Sequence, residues 1–96
     1  MPAYLIFDVT ITDPATYAAY KELTPATLEP YGGRFLVRGG STELLEGDRP
    51  PGRIVILEFP DLATAKRWWS SPEYGPAKAI RQSASKTWMV AVEGVQ

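Results

Sequence analysis

Two stretches of the chain echo one another. "FDVTITDPAT", residues 7–16, and "VILEFPDLAT", residues 55–64, both pass from apolar residues through an acidic one to the pattern Asp-x-Ala-Thr. Superimposing Asp13 on Asp61 gives a constant offset of 48. That offset is even, and side chains alternate faces along a strand, so Leu5, Phe7 and Val9 share a face with Val55, Leu57 and Phe59. A chain that repeats a strand-to-helix unit is held to an architecture with two such units. The odd positions, which are the more apolar, are the face their helices cover.

The remaining elements fall around these stretches. "AYLIFDVTI", residues 3–11, predicts a strand with Ala3, Leu5, Phe7, Val9 and Ile11 on its apolar side. Asp13 and Pro14 predict a helix start, the first as a side-chain cap and the second where its missing N–H is no loss. Tyr17, Tyr20 and Leu23 form the expected buried stripe of that helix. Pro25 cannot donate to the carbonyl of Lys21, so the helix is expected to break or restart there with Thr24 as a new cap, and to stop at Pro30 and the glycines. "GRFLVRG" predicts a second strand, "STELLEG" a short irregular one, "DRPPG" a turn, "RIVILEF" a third strand and "TWMVAVE" the last. Between these last two, "PDLATAKRWW" predicts a helix capped by Asp61, and Pro72 divides it from "EYGPAKAIRQSA", with Ser70 or Ser71 as the second cap. Of the consecutive Trp68 and Trp69, one points into the core and the other is left near the surface. The order βαββαβ with one added short strand is the split βαβ motif. It predicts an α+β, ferredoxin-like fold with an antiparallel-type mixed sheet, one domain over residues 1–96.

Composition narrows function by what it lacks. Without cysteine there are no disulfides, thiolate metal sites or cysteine nucleophile, and without histidine the commonest general base and metal ligand is missing. No metal and no cofactor is expected. The formal charge of −1 has no basic run behind it, which sets nucleic acid aside as a partner. Near the N-terminus the longest apolar run, "AYLIF", has no basic flank and no cleavage site, so neither a signal peptide nor a membrane span is expected, and a cytoplasmic location follows by default.

The even face then requires a cover. Tyr4, Ile6, Ile54 and Ile56, with Leu36, Met89 and Ala91, make a patch too apolar for water, while both helices lie on the other side. Monomers seldom expose a contiguous apolar patch above a few hundred Å², so the expected cover is the same face of a second copy, in a two-fold homodimer with facing sheets. The competing arrangement is a monomer whose open face is capped by residues 41–52.

"YGGRFLVRGG", residues 31–40, supplies the charges for that face. If Phe35 and Val37 join the helix-side core, alternation projects Arg34, Leu36 and Arg38 onto the open face. With strands one and three central and parallel, and strand two antiparallel to three, Arg34 lies near Glu58 and Asp8 is expected at the same end. Asp8 and Glu58 are therefore candidate catalytic carboxylates at one mouth of a mostly apolar cavity, with Arg34 and Tyr31 as candidate substrate-binding groups beside them and Arg38, a further candidate, toward the other end. A carboxylate in such a cavity can accept or donate a proton near neutral pH while arginine holds an anionic group. The structural reading of the same residues is a charge pair that sets the register of the facing sheets. The glycines of this segment are neither a phosphate loop nor a dinucleotide fingerprint, since no helix opens directly after them.

"MPAYLIFDVTITDP", "YGGRFLVRGG", "VILEFPD" and "WWSSPEYGPAKAIRQSA" resemble the family called domain of unknown function 1330 across nearly the whole chain. The resemblance implies membership of the dimeric α/β-barrel superfamily, with a ferredoxin-like protomer that dimerises through its sheet. That superfamily includes cofactor-free monooxygenases, haem-degrading and haem-binding enzymes, lactone isomerases and ligand-sensing modules, and fold does not choose among them. Lacking histidine, the chain cannot supply the histidine haem ligand of the haem-binding members. Two classes of function remain: a cofactor-independent enzyme moving protons on a small anionic or oxygenated molecule, and a non-catalytic dimer that binds a ligand or serves in assembly.

Overall fold

The alternation in the first stretch becomes strand β1 (Ala3–Ile11), with Ala3, Leu5, Phe7 and Val9 buried and their even neighbours more open. The computed structural model describes residues 1–95, and the order continues as α1 (Pro14–Leu28), a 3₁₀ turn (Glu29–Tyr31), β2 (Arg34–Arg38), β3 (Arg53–Phe59), α2 (Leu62–Trp69), α3 (Gly75–Ala84) and β4 (Ser85–Glu93). The four strands form one sheet in the order β2-β3-β1-β4. This is the expected ferredoxin-like α+β fold.

All the pairings are antiparallel, β1 with β3 included, which corrects the expectation that strands one and three run parallel. The reason lies in the connections. Helix α1 carries the chain across so that β2 runs in the direction of β1 with a gap between them, and β3 turns back to fill that gap. The sequence echo agrees: two strands related by a two-fold axis normal to the sheet must be antiparallel. Phe7 pairs with Val55, its own counterpart at the offset of 48, so the axis passes between them. Asp13 and Asp61 perform the same task in the two halves. The carboxylate of Asp13 accepts from Thr16 N–H at 3.2 Å and that of Asp61 from Thr64 N–H at 2.7 Å, satisfying amides that each first helical turn leaves free.

Helices α1, α2 and α3 cover the odd face. Trp68, Tyr17, Tyr74, Phe7, Phe59, Leu57 and Val9 are the largest fully buried side chains, and Trp68 stacks on Tyr74 with ring centroids 3.8 Å apart. Trp68 is buried and Trp69 is 42% exposed, as two consecutive helical positions require. Ser71, rather than Ser70, caps the turn before α3: its Oγ accepts from Tyr74 N–H at 3.1 Å.

Four local expectations give way. The segment "STELLEG" is no strand, and residues 40–50 are exposed and irregular. Leu23 is 46% exposed, and the buried stripe of α1 runs instead through Tyr17, Tyr20, Thr24, Thr27 and Leu28. On β4, Met89 and Ala91 pair with Phe7 and Leu5 and so share the helix face, leaving Trp88, Val90 and Val92 on the open one. Finally, α1 passes through Pro25 without a break. Proline removes the donor that the Lys21 carbonyl would have used, and the guanidinium of Arg38 replaces it, with Nη2 donating to Lys21 O at 2.6 Å. Thr24, the expected cap, is an interior residue whose Oγ1 donates to Tyr20 O at 2.7 Å.

Arg38 reaches the helix because β2 carries a bulge. Arg34 pairs with Glu58 and Phe35 with Leu57, but the register then shifts, so that Val37 pairs with Ile56 and Arg38 with Val55. One extra residue reverses the facing of everything after it. Arg34 keeps the open face, Val37 joins it, and Arg38 turns to the helix side, where its guanidinium also lies 4.2 Å above the Phe35 ring. In urea unfolding, Arg38→Ala is expected to cost about 1 kcal/mol. In a Pro25→Ala background, where a restored N–H serves Lys21, the cost should be clearly smaller. Strictly additive costs in that double-mutant cycle would show that Arg38 does not serve the carbonyl.

Candidate functional site

The register lays the open face out in rows. Across the middle run Val37, Ile56, Ile6 and Val90, all apolar. To one side of them stand Arg34, Glu58, Tyr4 and Val92, and to the other Ile54, Asp8 and Trp88. Trp88, Val90 and Val92 are 58%, 37% and 44% exposed. The loop of residues 41–50 therefore leaves this strand largely open, although Arg49 and Pro50 come near Trp88.

The proposed carboxylates therefore share a face but not an end. Asp8 and Glu58 stand four residue steps apart along the strands, roughly 13 Å at strand rise, because antiparallel pairing sets Glu58 opposite Tyr4 and Asp8 opposite Ile54. Glu58 and Arg34 do meet as expected, with Arg34 Nε donating to Glu58 Oε1 at 2.6 Å. Asp8, Glu58 and Arg34 do not form one cluster. Arg38 is on the helix side. Tyr31 lies elsewhere again: its hydroxyl donates to Glu73 Oε1 at 2.8 Å, which raises the phenol's pKa and, together with Glu73's own backbone amide, lowers that of the carboxylate.

Asp8 stands at a hollow of its own. Its Oδ1 accepts from Gly52 N–H at 2.8 Å, tying the end of the β2–β3 loop to β1. Position 52 must be glycine for this approach, since a Cβ there would collide with the carbonyl oxygen of Val9. The hollow has a volume of about 370 Å³, and its walls include Asp8, Thr10, Arg49, Lys86 and Trp88. A larger one of about 580 Å³ lies between α2 and the outer half of β4, with Ala63, Lys66, Arg67, Trp69, Met89 and Ala91 in its lining.

The core holds a polar centre that the sequence reading did not identify. Tyr20 and Tyr74 join through their hydroxyls at 2.9 Å, and Arg81 Nε donates to Tyr74 Oη at 3.2 Å. Arg81 is only 5% exposed, and its guanidinium lies 5.8 Å from the centre of the Phe7 ring. Arg53 Nη1 donates to Tyr17 Oη at 3.1 Å nearby. The one sequence signal was spacing: Arg81 falls between Ala77 and Ala84 on the buried stripe of α3. Tyr74, at the start of the second helical stretch, is wholly buried.

The family model described as "Domain of unknown function (DUF1330)" matches residues 2–95. No curated protein matches the chain in sequence. Among solved structures it is similar to RPA0582 of Rhodopseudomonas palustris, a protein of unknown function, at 21% identity and a TM-score of 0.80 over 99% of this chain and 83% of that one. It is also similar to SnoaB of Streptomyces nogalater, a cofactor-independent oxygenase, at 17% identity and a TM-score of 0.65 over 99% and 94% of the two chains. Rv0793 of Mycobacterium tuberculosis follows at 14% identity and a TM-score of 0.62, covering 100% and 97%. At these identities the likenesses show the fold alone. No helix among the described residues is long and apolar enough to cross a membrane.

The buried tyrosines set an alkaline limit on stability. Burial pushes the phenols of Tyr17, Tyr20 and Tyr74 above the ordinary value of 10.0, with Arg53 opposing the rise at Tyr17 and Arg81 at Tyr74. Above that value the unfolded chain ionises while the folded one stays protonated, so unfolding releases protons and stability falls as pH rises. Each such tyrosine contributes at most about 1.4 kcal/mol per pH unit. Urea midpoints should hold level on this account up to about pH 9 and drop beyond the 10.0 of a free phenol. The drop should be shallower in Tyr20→Phe, and an unchanged slope would show that this hydroxyl is not protected.

Proposed function

The chain belongs to the DUF1330 family, whose description assigns no activity, and we propose that it acts as a homodimer binding a small anionic or oxygenated molecule between its facing sheets. The binding position is the hollow beside Asp8. What supports this reading is the make-up of that hollow: two cations, Arg49 and Lys86, stand with one carboxylate and an exposed indole at one margin of a face whose middle row is apolar. Its volume of about 370 Å³ falls in the range of small-molecule sites.

Each group has a role that its chemistry allows. Lys86 and Arg49 hold a carboxylate or phenolate oxygen, and Trp88 offers a flat apolar surface for the rest of the molecule. Asp8 is the acid or base of any proton transfer. Covering the face with a second copy would remove water and strengthen each of these interactions. The apolar row of Val37, Ile56, Ile6 and Val90 supports such a cover, because an exposed stripe of this kind is uncommon on a monomer. Glu58 and Arg34, proposed as part of the site from sequence, serve better as a charge pair at the far end that fixes how the sheets meet.

A second reading is favoured by one observation. Asp8 already holds Gly52 N–H, as a purely structural residue would, and the protein is then a non-catalytic ligand-binding or assembly module. Asp8→Asn separates a need for the charge from a need for this hydrogen bond, since an amide oxygen can keep the bond without the charge. Under the binding reading the variant is as stable as wild type, and the urea midpoint of both rises with protein concentration. A loss of about 3 kcal/mol or more would make the charge of Asp8 structural.

Ligand binding is tested with small aromatic carboxylates, starting with benzoate and salicylate. The indole N–H signals of Trp68, Trp69 and Trp88 are followed by NMR. Trp88 should shift and the buried Trp68 should not, with Lys86→Ala weakening binding about tenfold, the equivalent of one charge-assisted contact. No shift at Trp88, or one indifferent to Lys86→Ala, would overturn the assignment.

A further inference from the structure

The loop between β2 and β3 is long for a hairpin, and its composition does not suit a free surface. Residues 40–50 are all exposed, and Leu44 and Leu45 are 45% and 86% exposed. Among the described residues the loop is fastened at its ends, by Gly39 N–H donating to Ile54 O at 2.8 Å and by Gly52 N–H donating to Asp8. Loops of more than about 12 residues without structure of their own are uncommon in small domains and are usually functional. On both sides of its leucines the loop is acidic, with Glu43, Glu46 and Asp48 against Arg49.

The groove between α2 and β4 has the complementary character. Its volume is about 580 Å³, and it is lined by apolar groups of Leu5, Ala63, Met89 and Ala91 together with two cations, Lys66 and Arg67. Trp69, 42% exposed, forms another part of its wall. One side of the groove is an edge strand, since β4 ends the sheet. An edge strand presents unpaired backbone groups to any extended segment laid beside it.

We propose that the β2–β3 loop of one copy docks in the α2–β4 groove of a second copy, seating a leucine of the Leu44–Leu45 pair there and setting Glu43 and Glu46 near Lys66 and Arg67. The inference rests on the homodimer reading above and adds to it a second, reciprocal contact. Geometry favours an exchange between copies over docking on the loop's own groove. The loop leaves the sheet from β2, at one edge, whereas the groove runs along β4, at the other. A two-fold axis lying between facing sheets and along their strands sets each β2 over the partner's β4. The short strand expected of "STELLEG" then forms only where the partner supplies an edge.

The chain has no cysteine, so engineered ones report on this contact alone. Leu45→Cys and Ala63→Cys chains are co-expressed, oxidised mildly, and the linked peptides are identified by mass, with light scattering giving the oligomeric state of the unmodified protein. A heterodisulfide joining positions 45 and 63 of different chains should exceed either homodisulfide by at least tenfold. It should fall when Lys66→Glu and Arg67→Glu are added to the Ala63→Cys chain, and recover when Glu43→Lys and Glu46→Lys are placed on the other. A dimer by scattering without this link overturns the docking proposal and leaves the homodimer reading standing. A monomer at all concentrations overturns both. In a chain carrying both cysteines, an intrachain link without an interchain one would assign the loop to its own groove and likewise overturn the exchange.

Discussion

The pairing of Phe7 with Val55 sets the frame for every other position in the sheet. It is the point at which the two repeated halves meet, each residue facing its own counterpart, and it fixes the register of β1 against β3 through a two-fold relation. From there the odd rows must face the helices and the even rows must not. A slip of β1 by one residue would turn Leu5, Phe7 and Val9 toward the open side and send Asp8 into the core, an exchange of apolar for charged groups that burial energetics does not permit. The same frame holds the two carboxylates of the open face apart. Asp8 and Glu58 lie on opposite sides of the row through Ile6 and Ile56, and no rearrangement of side chains closes that distance.

Legibility in the sequence followed the range of the interaction. Patterns settled within a few residues read correctly: the alternation of β1, the Asp13 and Asp61 caps, the burial of one tryptophan of the Trp68–Trp69 pair, and the end of the first helical stretch before the glycines. Errors came where a partner distant in the chain decided the outcome. Pro25 read as a helix break because no local group can serve the Lys21 carbonyl, yet Arg38 does so from another element. The opposite orientation of Arg34 and Arg38 turns on a single bulge residue, and no side chain in "RFLVR" announces it. These two surprises are one event. The bulge turns Arg38 to the helix side, and there it occupies the acceptor that the proline had left without a donor.

The candidate site divides in the same way. Arg34 and Glu58 could be brought together from sequence because only the β2–β3 pairing was needed, and that pairing was inferred correctly. Placing Asp8 with them required the direction of β1 against β3, which was not. The evenness of the offset identified the shared face, and an offset says nothing of direction until the two-fold is recognised. The lining of the Asp8 hollow comes from three separate parts of the chain, β1, the loop before β3 and the start of β4. Arg49 and Lys86 carry no local sign that they converge there.

A chain without histidine or cysteine leaves proton chemistry to carboxylates, phenols and amines, and the fold sorts these by environment. Tyr20 and Tyr74 are closed in the core with Arg81, and burial keeps their protons on far above neutral pH. They are poor acids and poor bases there, and their hydroxyls serve to give a buried guanidinium an oxygen partner without a second buried charge, which would carry its own desolvation cost. Glu58 is committed to Arg34. Tyr31 and Glu73 are committed to each other. Asp8 is different, because its Oδ1 accepts from the backbone N–H of Gly52, a neutral group that orients a carboxylate without forming an ion pair. Of Asp8 and Glu58, the acids placed on the open face, the former is the one that shares a hollow with Lys86 and Arg49 and forms no ion pair among the described residues, and the proposed site is built on it for that reason.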